Sequence, residues 1–421
     1  MTKKILLVGL AIILFSGVAT AAVLFLFPYR PNQPPRTDDA GSTQQGIQAV
    51  VNANNKFAFD LYSELDKSAN GNIFYSPYSI FAALAMTYEG ARGQTAEEIK
   101  SVFHFPESNV LRPNFAAIYN KINKKDKPYE LSTGNALWVQ QNYKLLEEYL
   151  STVEKYYGGK AANLDFVGET EKSRRTINAF IEEQTAKRIK DLIPQGILDA
   201  ATRLVLTNAV YFRGTWVWKF DKADTHDQDF KITPTNVVKT PMMYMKNDKA
   251  QFNYADLGDL QILELPYKGD EISMLVLLPT GNLETIESGL TTEKLKEWKA
   301  KMKEEKLDAI YLPKFEFNTK YFMAKTLSDM GMPAAFNSNA DFSGMDGTKN
   351  LFISQVIHQA FVKVDEEGTE AAGVAAAAKT LSVSEVSPRK IFNADHPFIF
   401  IIQEKNTGNI LFLGRVVDPT K

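Results

Sequence analysis

Cysteine is absent from the 421 residues, which excludes disulfides, thiol nucleophiles and cysteine metal sites. Histidine is scarce, and the 4 present are His104, His226, His358 and His396. None has a second histidine at ligand spacing, so a metal site would have to be mostly carboxylate. No metal and no cofactor is expected. An excess of one charge is also missing, with 48 Lys and Arg against 50 Asp and Glu. That leaves no basic footprint for nucleic acid. The chain has no G-x-S-x-G elbow, H-E-x-x-H, G-x-G-x-x-G or P-loop, so the common enzyme classes lack a signature. A Ser-His-Asp triad gathered from distant segments leaves no local mark and stays open at this level. N-x-S/T sites are missing too, and neither they nor cysteine usage indicate a compartment.

The N-terminus does speak to compartment. Lys3 and Lys4 precede an uncharged, mostly apolar run from Ile5 to Phe27. That run is long enough to span a bilayer, with the N-terminus inside and the body exported. Ala19-Thr20-Ala21 resembles a signal-peptidase site, so residues 1–27 read as a signal anchor or a cleaved signal peptide. The anchor is favoured because the apolar run continues past that site. Residues 28–46 hold four prolines, then small polar residues, and read as an extended tether. The body is expected over 47–421 as a single, monomeric domain.

Ile47, Val50, Val51, Phe57, Leu61 and Leu65 recur at helical spacing, so the body opens with a helix. Thr95-Ala96-Glu97-Glu98 reads as a capping box before Ile99. Glu171 to Lys190 reads as an amphipathic helix lying on a surface. Strand-like runs are 204–212, 272–279, 307–317, 397–402 and 410–417. Helices dominate the first half and strands the second, without regular alternation. That predicts an α+β fold with large, mostly antiparallel sheets rather than a doubly wound one. His358, in the apolar stretch ISQVIHQAF, reads by itself as a core histidine satisfied by hydrogen bonds.

One tract resists this reading. Asp365 to Thr380 is DEEGTEAAGVAAAAKT, acids and a glycine followed by a run in which six of ten residues are alanine. By composition it is a helix with an acidic start. As a strand of period two, Thr369, Ala371, Gly373, Ala375 and Ala377 would form one face, all small and uncharged. Glu370, Ala372, Val374, Ala376 and Ala378 would form the other. The first face suits burial in a crowded sheet and leaves Glu370 near solvent.

Several segments then resemble the serpins in order and spacing: NIFYSPYSIFAALAMTYEGARGQT (72–95), TNAVYFRGTWVWKF (207–220), LPKFEF (312–317), VIHQAFVKVDEEGTEAA (356–372), ADHPFIFII (394–402) and GNILFLGRVVDP (408–419). The resemblance covers nearly all of 47–421. It implies three mostly antiparallel β-sheets, about nine helices and an exposed reactive-centre loop over about 366–390. It implies no catalysis by the chain. A target serine protease would attack the loop as substrate and form an acyl-enzyme. The cut loop would then enter the main sheet as a new strand and trap the protease covalently. The alanine tract becomes a conditional strand on this reading.

The resemblance also implies site residues. The hinge would be Glu366, Glu367, Gly368, Thr369, Glu370, Ala371, Ala372, Gly373 and Val374. Ser76, Ser79, Asn208 and His358 would form the shutter, the polar cluster beneath the point where the sheet opens. Trp216 and Lys314 would stand at the breach, where insertion starts, with Lys314 paired to Glu366. Loop length places the reactive bond at Ser382–Val383, with Leu381 as neighbour, which suits elastase-, subtilisin- or chymotrypsin-like targets. Gly373 and Val374 depart from the alanines most typical of the hinge. Lys379 would meet the buried face if insertion ran that far. The alternative function is a non-inhibitory serpin acting as carrier, chaperone or storage protein.

Overall fold

The computed structural model of the protein describes residues 35–246, 250–369 and 390–421. The apolar run 5–27, its cleavage motif, the hinge from Glu370 onward and the reactive bond at Ser382–Val383 lie outside the described residues. From the N-terminal side the chain runs α1 (Gln44–Asp66), β1 (Ile73–Tyr75), α2 (Pro77–Gly90), α3 (Gly93–Phe103), α4 (Ser108–Ile122), β2 (Tyr129–Thr133), β3 (Ala136–Gln140), α5 (Glu147–Tyr157), β4 (Lys160–Leu164), α6 (Thr170–Gln184) and β5 (Leu204–Thr215). It continues through β6 (His226–Thr233), β7 (Asn236–Lys246), β8 (Phe252–Asp256), β9 (Leu260–Pro266), β10 (Ile272–Pro279), α7 (Glu284–Glu287), α8 (Thr292–Ala300), β11 (Lys303–Glu305), β12 (Ala309–Pro313) and β13 (Phe315–Phe322). It closes with α9 (Ala324–Asp329), α10 (Ser343–Asp346), β14 (Ile353–Asp365), β15 (Gly368–Thr369), β16 (Ile391–Asn393), β17 (Phe398–Glu404) and β18 (Asn409–Val416). That makes ten α-helices and three sheets among the described residues, one helix more than expected.

Local chemistry explains the helix starts. Thr43 is the N-cap of α1, its hydroxyl accepting from Gly46 N at 3.0 Å. The helix therefore begins at Gln44 rather than Ile47. Part of the expected tether is also docked: Thr37 is buried and its hydroxyl donates to Ala116 O at 3.1 Å. Ser76 caps α2 with Pro77 at the first helical position, and α2 is buried on almost every side. Thr95 is not a cap. Arg92 holds that position, and the Thr95 and Glu98 side chains instead accept from Asp341 N and Ala334 N. Tertiary partners took the groups that a capping box would have used. The surface helix stops at Gln184, because Ala186 and Lys187 adopt positive φ. The run 307–317 splits into β12 and β13 at Lys314.

One seven-stranded sheet has the order β1-β18-β17-β10-β9-β8-β11, and a four-stranded sheet has β16-β12-β7-β6. The third sheet, also of seven strands, runs β13-β14-β15-β5-β3-β4, with β2 also paired to β5. Most pairings are antiparallel. The exceptions include β5 with β14, which lie parallel from Leu204/Ile353 to Tyr211/Phe361. The main core lies between this sheet, the β10–β17 sheet and α2. A smaller cluster, with Trp138, Ile177, Phe180 and Val205, fixes α6 across the sheet's other face.

Candidate functional site

The seam between β5 and β14 is where the third sheet differs from an ordinary one. After Asp365 the chain reverses at Glu366–Glu367 and returns as β15 between the two long strands. Gly368 and Thr369 pair with Asp365 and Val364 on one side, and with Thr215 and Gly214 on the other, antiparallel to both. The approach is tight. A Cβ at Gly368 would come within 2.0 Å of Gly214 O, and its φ of +150° disfavours other residues besides. Thr369 is fully buried, and its hydroxyl shares a 2.6 Å hydrogen bond with Tyr267 Oη. Burial pushes the Tyr267 phenol well up, so it stays protonated.

The turn is tied down atom by atom. Asp365 Oδ1 accepts from Glu367 N at 2.9 Å, as in an Asx-turn. The carbonyls of Asp365, Glu366 and Glu367 accept from Trp216 Nε1 at 3.0 Å, Phe220 N at 3.1 Å and Trp216 N at 2.9 Å. Trp216 is 1% exposed and stacks on Tyr267 at 4.4 Å between centroids. Lys314 Nζ donates to both carboxylate oxygens of Glu366, at 2.9 and 3.1 Å, and Thr225 adds a bond at 2.8 Å. Burial works against ionisation of Glu366, but Lys314 and Thr225 hold its carboxyl below the ordinary value. Burial pushes the neighbouring Asp365 up. Glu367 is answered by Lys219 and, at 3.8 Å, by Lys222.

Lower on the same seam, Asn208 of β5 stands opposite His358 of β14. The His358 ring is fully buried, and Nε2 accepts from Ser76 N at 3.1 Å. Nδ1–H therefore donates to Asn208 Oδ1, across the seam. Burial pushes His358 down to about 3, so the ring is neutral at pH 7. With both nitrogens engaged, the ring has no lone pair to offer as a general base. Asn208 Nδ2 donates at 2.6 Å to Ser79 Oγ and to Asn135 Oδ1. Ser76 Oγ donates to Leu411 O at 2.7 Å. The cluster thus joins β5, β14, α2 and β18.

The structure brings Ser76, Ser79, Asn208 and His358 into one hydrogen-bonded group, and Trp216, Lys314, Glu366, Glu367, Gly368 and Thr369 into another. Sequence reasoning missed Asn135, Tyr267 and Thr225. Asn135 falls in the short break between β2 and β3. Tyr267 follows β9 and meets Trp216 in an isolated bridge. Neither carries a local motif. Lys219 was in view, within TNAVYFRGTWVWKF, but without a partner assigned.

A family model described as Serpin (serine protease inhibitor) matches residues 52–419. The chain belongs to the serpin family. This serpin is 45% identical over 375 residues to an uncharacterized serpin-like protein of Thermococcus kodakarensis, covering 88% of this chain and 86% of that one. It is 39% identical over 382 residues to leukocyte elastase inhibitor A of Rattus norvegicus, covering 89% of this chain and 100% of the relative. Uncleaved ovalbumin superimposes with a TM-score of 0.78 at 35% identity, covering 88% of this chain and 100% of that one. Human thyroxine-binding globulin complexed with thyroxine gives 0.79 at 31% identity, covering 89% of this chain and 100% of that one. The expected serpin fold is therefore the fold of this chain, and protease inhibitors are among its relatives. No described helix is long and apolar enough to cross a membrane.

Proposed function

We propose that this serpin inhibits a serine protease as a suicide substrate. The observation that carries the reading is β15. A strand antiparallel to both neighbours has already started between two parallel strands. Continuing it would replace the β5–β14 parallel ladder with two antiparallel ladders, the better-aligned hydrogen-bond pattern. Extending the alternation from Thr369 keeps Ala371, Gly373, Ala375 and Ala377 on its face, where nothing large or charged needs burying.

In the proposed reaction the protease serine Oγ attacks the carbonyl carbon of Ser382. The Ser382–Val383 C–N bond breaks, the new amine of Val383 takes a proton, and an ester holds Ser382 to the enzyme. Insertion of the freed tract then outruns hydrolysis of that ester. The uncut form is held by a barrier rather than by equilibrium stability. The small or apolar residues Leu381, Ser382 and Val383 favour elastase-, subtilisin- or chymotrypsin-like targets. Residues 1–27 would export the monomeric body and anchor it outside the cell, through the tether that ends at the docked Thr37. Thyroxine-binding globulin shares the fold, so the fold alone does not separate inhibitor from carrier. The hinge sequence supports inhibition, since a carrier has no need of an all-small face.

The test is to incubate the full chain with elastase, subtilisin, chymotrypsin and trypsin and run denaturing gels. A covalent complex with one of the first three is expected. Clean loop cleavage by all four, without complex, would point to a carrier or storage role.

A further inference from the structure

A cavity of about 430 Å³ opens beside the third sheet, between α2, α4, α5, α6 and β4. Its volume falls in the range of small-molecule sites. Ala82, Met86, Leu150, Val153 and Phe180 give it apolar walls. The charges in the wall are already answered. Lys160 is partnered and feels the carboxylate of Glu154, which also lines the cavity, so the two cancel. Most polar groups are committed as well. Asn135 is bonded to Ser79 and Asn208, Asn123 Nδ2 donates to Tyr119 O at 3.0 Å, and Tyr157 Oη donates to Glu89 at 2.6 Å. Tyr78 and Tyr119 have partners too. One group differs. Gln184 is the last residue of α6 and is 1% exposed, and among the described residues its Oε1 accepts no hydrogen bond. A buried acceptor left so is costly, and a ligand donor would relieve it.

We propose that this cavity binds an uncharged, mostly aliphatic molecule carrying one hydroxyl, a medium-chain alcohol in its simplest form. The hydroxyl donates to Gln184 Oε1, and the chain lies along Met86, Val153 and Phe180. A charged head group would lose its water here without meeting an unspent counter-charge, so neither an acid nor an amine fits. An ether of equal length fills the same space and leaves Oε1 without a donor.

The experiment is titration of the full, uncut chain with octan-1-ol, 1-methoxyheptane, octanoate and octylamine, read as the shift in thermal unfolding midpoint. Octan-1-ol should give a saturable upward shift. It should bind about fivefold more tightly than the ether, which cannot donate. Octanoate and octylamine should bind at least about tenfold more weakly than the alcohol. Gln184→Leu removes the bare acceptor, so the unliganded chain should keep its stability, and the preference for alcohol over ether should vanish. Ala82→Leu extends an apolar side chain from the wall and should weaken the alcohol and the ether alike. No saturable shift with octan-1-ol, or equal binding of octanoate or octylamine, would overturn the site. So would a preference for the alcohol that survives Gln184→Leu, or affinity unchanged in Ala82→Leu. The readout does not depend on whether the protein inhibits a protease.

Discussion

The two ends of the β5–β14 seam solve opposite problems. At the upper end the strands are already separated. Gly368 and Thr369 fill the gap, and every carbonyl of the preceding turn is bonded to Trp216 or Phe220. At the lower end the strands touch, and the His358–Asn208 bond crosses between them. The strands are therefore parted where small residues and a hydroxyl pair line the gap. They stay paired where the neutral imidazole of His358 bonds across to Asn208. In the proposed insertion, cost would be concentrated at the lower end and guidance at the upper one. Breaking each end in turn should give different failures.

The largest effect is expected at the upper end. Thr369→Arg would bury a guanidinium against Tyr267, with no acid on that face, at several kcal/mol. Loop cleavage, far along the chain, should continue at its normal rate. The ratio of covalent complex to cleaved serpin on a denaturing gel should fall by at least about tenfold, since each ~1.4 kcal/mol on the insertion step is a factor of ten. Glu370→Arg, on the other face of the same strand, should cost much less.

Next comes the lower end. Asn208→Ala leaves the His358 N–H without its partner and removes one of the two donors to Asn135 Oδ1, a loss of roughly 2–3 kcal/mol. The uncut chain should unfold at lower denaturant and lose inhibitory capacity on standing, as the seam opens without protease. Unchanged storage stability would mean that the seam is held elsewhere.

Acid should act on the same bond. The folded pKa of His358 lies near 3, below the ordinary ~6.5, so the folded state binds fewer protons than the unfolded state between these values. Its contribution is fully present above about pH 6.5 and declines as pH falls toward 3, with a slope of about 1.4 kcal/mol per pH unit. Protonation would also turn Nε2 from acceptor to donor, facing the Ser76 N–H. Chemical denaturation of the uncut chain at pH 7, 6, 5 and 4 measures the slope, and His358→Gln should flatten it.

Lys314→Met removes the partner of a buried carboxylate, but Lys314 itself is a third exposed, so the cost is reduced to roughly 1–2 kcal/mol. Glu316→Gln, which breaks an exposed pair with Lys363, should change stability by less than ~0.5 kcal/mol.

What could be read in advance follows the same division. β10 was legible to the residue, because a continuous apolar run has one structural use. The α1 face was legible through its period, and its start was misplaced by three residues because the Thr43 cap precedes the apolar repeat. The Thr95 capping box failed because Asp341 and Ala334, far along the chain, took the same side chains. The site divides likewise. The small-residue phase from Thr369 could be derived from the chain itself. The shutter and breach residues came only through the family resemblance, since their bonds join segments up to several hundred residues apart. Asn135 and Tyr267 had neither route, and only the folded chain places them.

The most direct test of stored strain in the seam is the thermal unfolding midpoint of the full chain before and after a single cut between Ala377 and Ser384. Completing the strand that Gly368 and Thr369 begin should raise it well beyond the roughly 2–4 °C that 1 kcal/mol produces in large domains. A midpoint that stays or falls on cleavage would contradict the account.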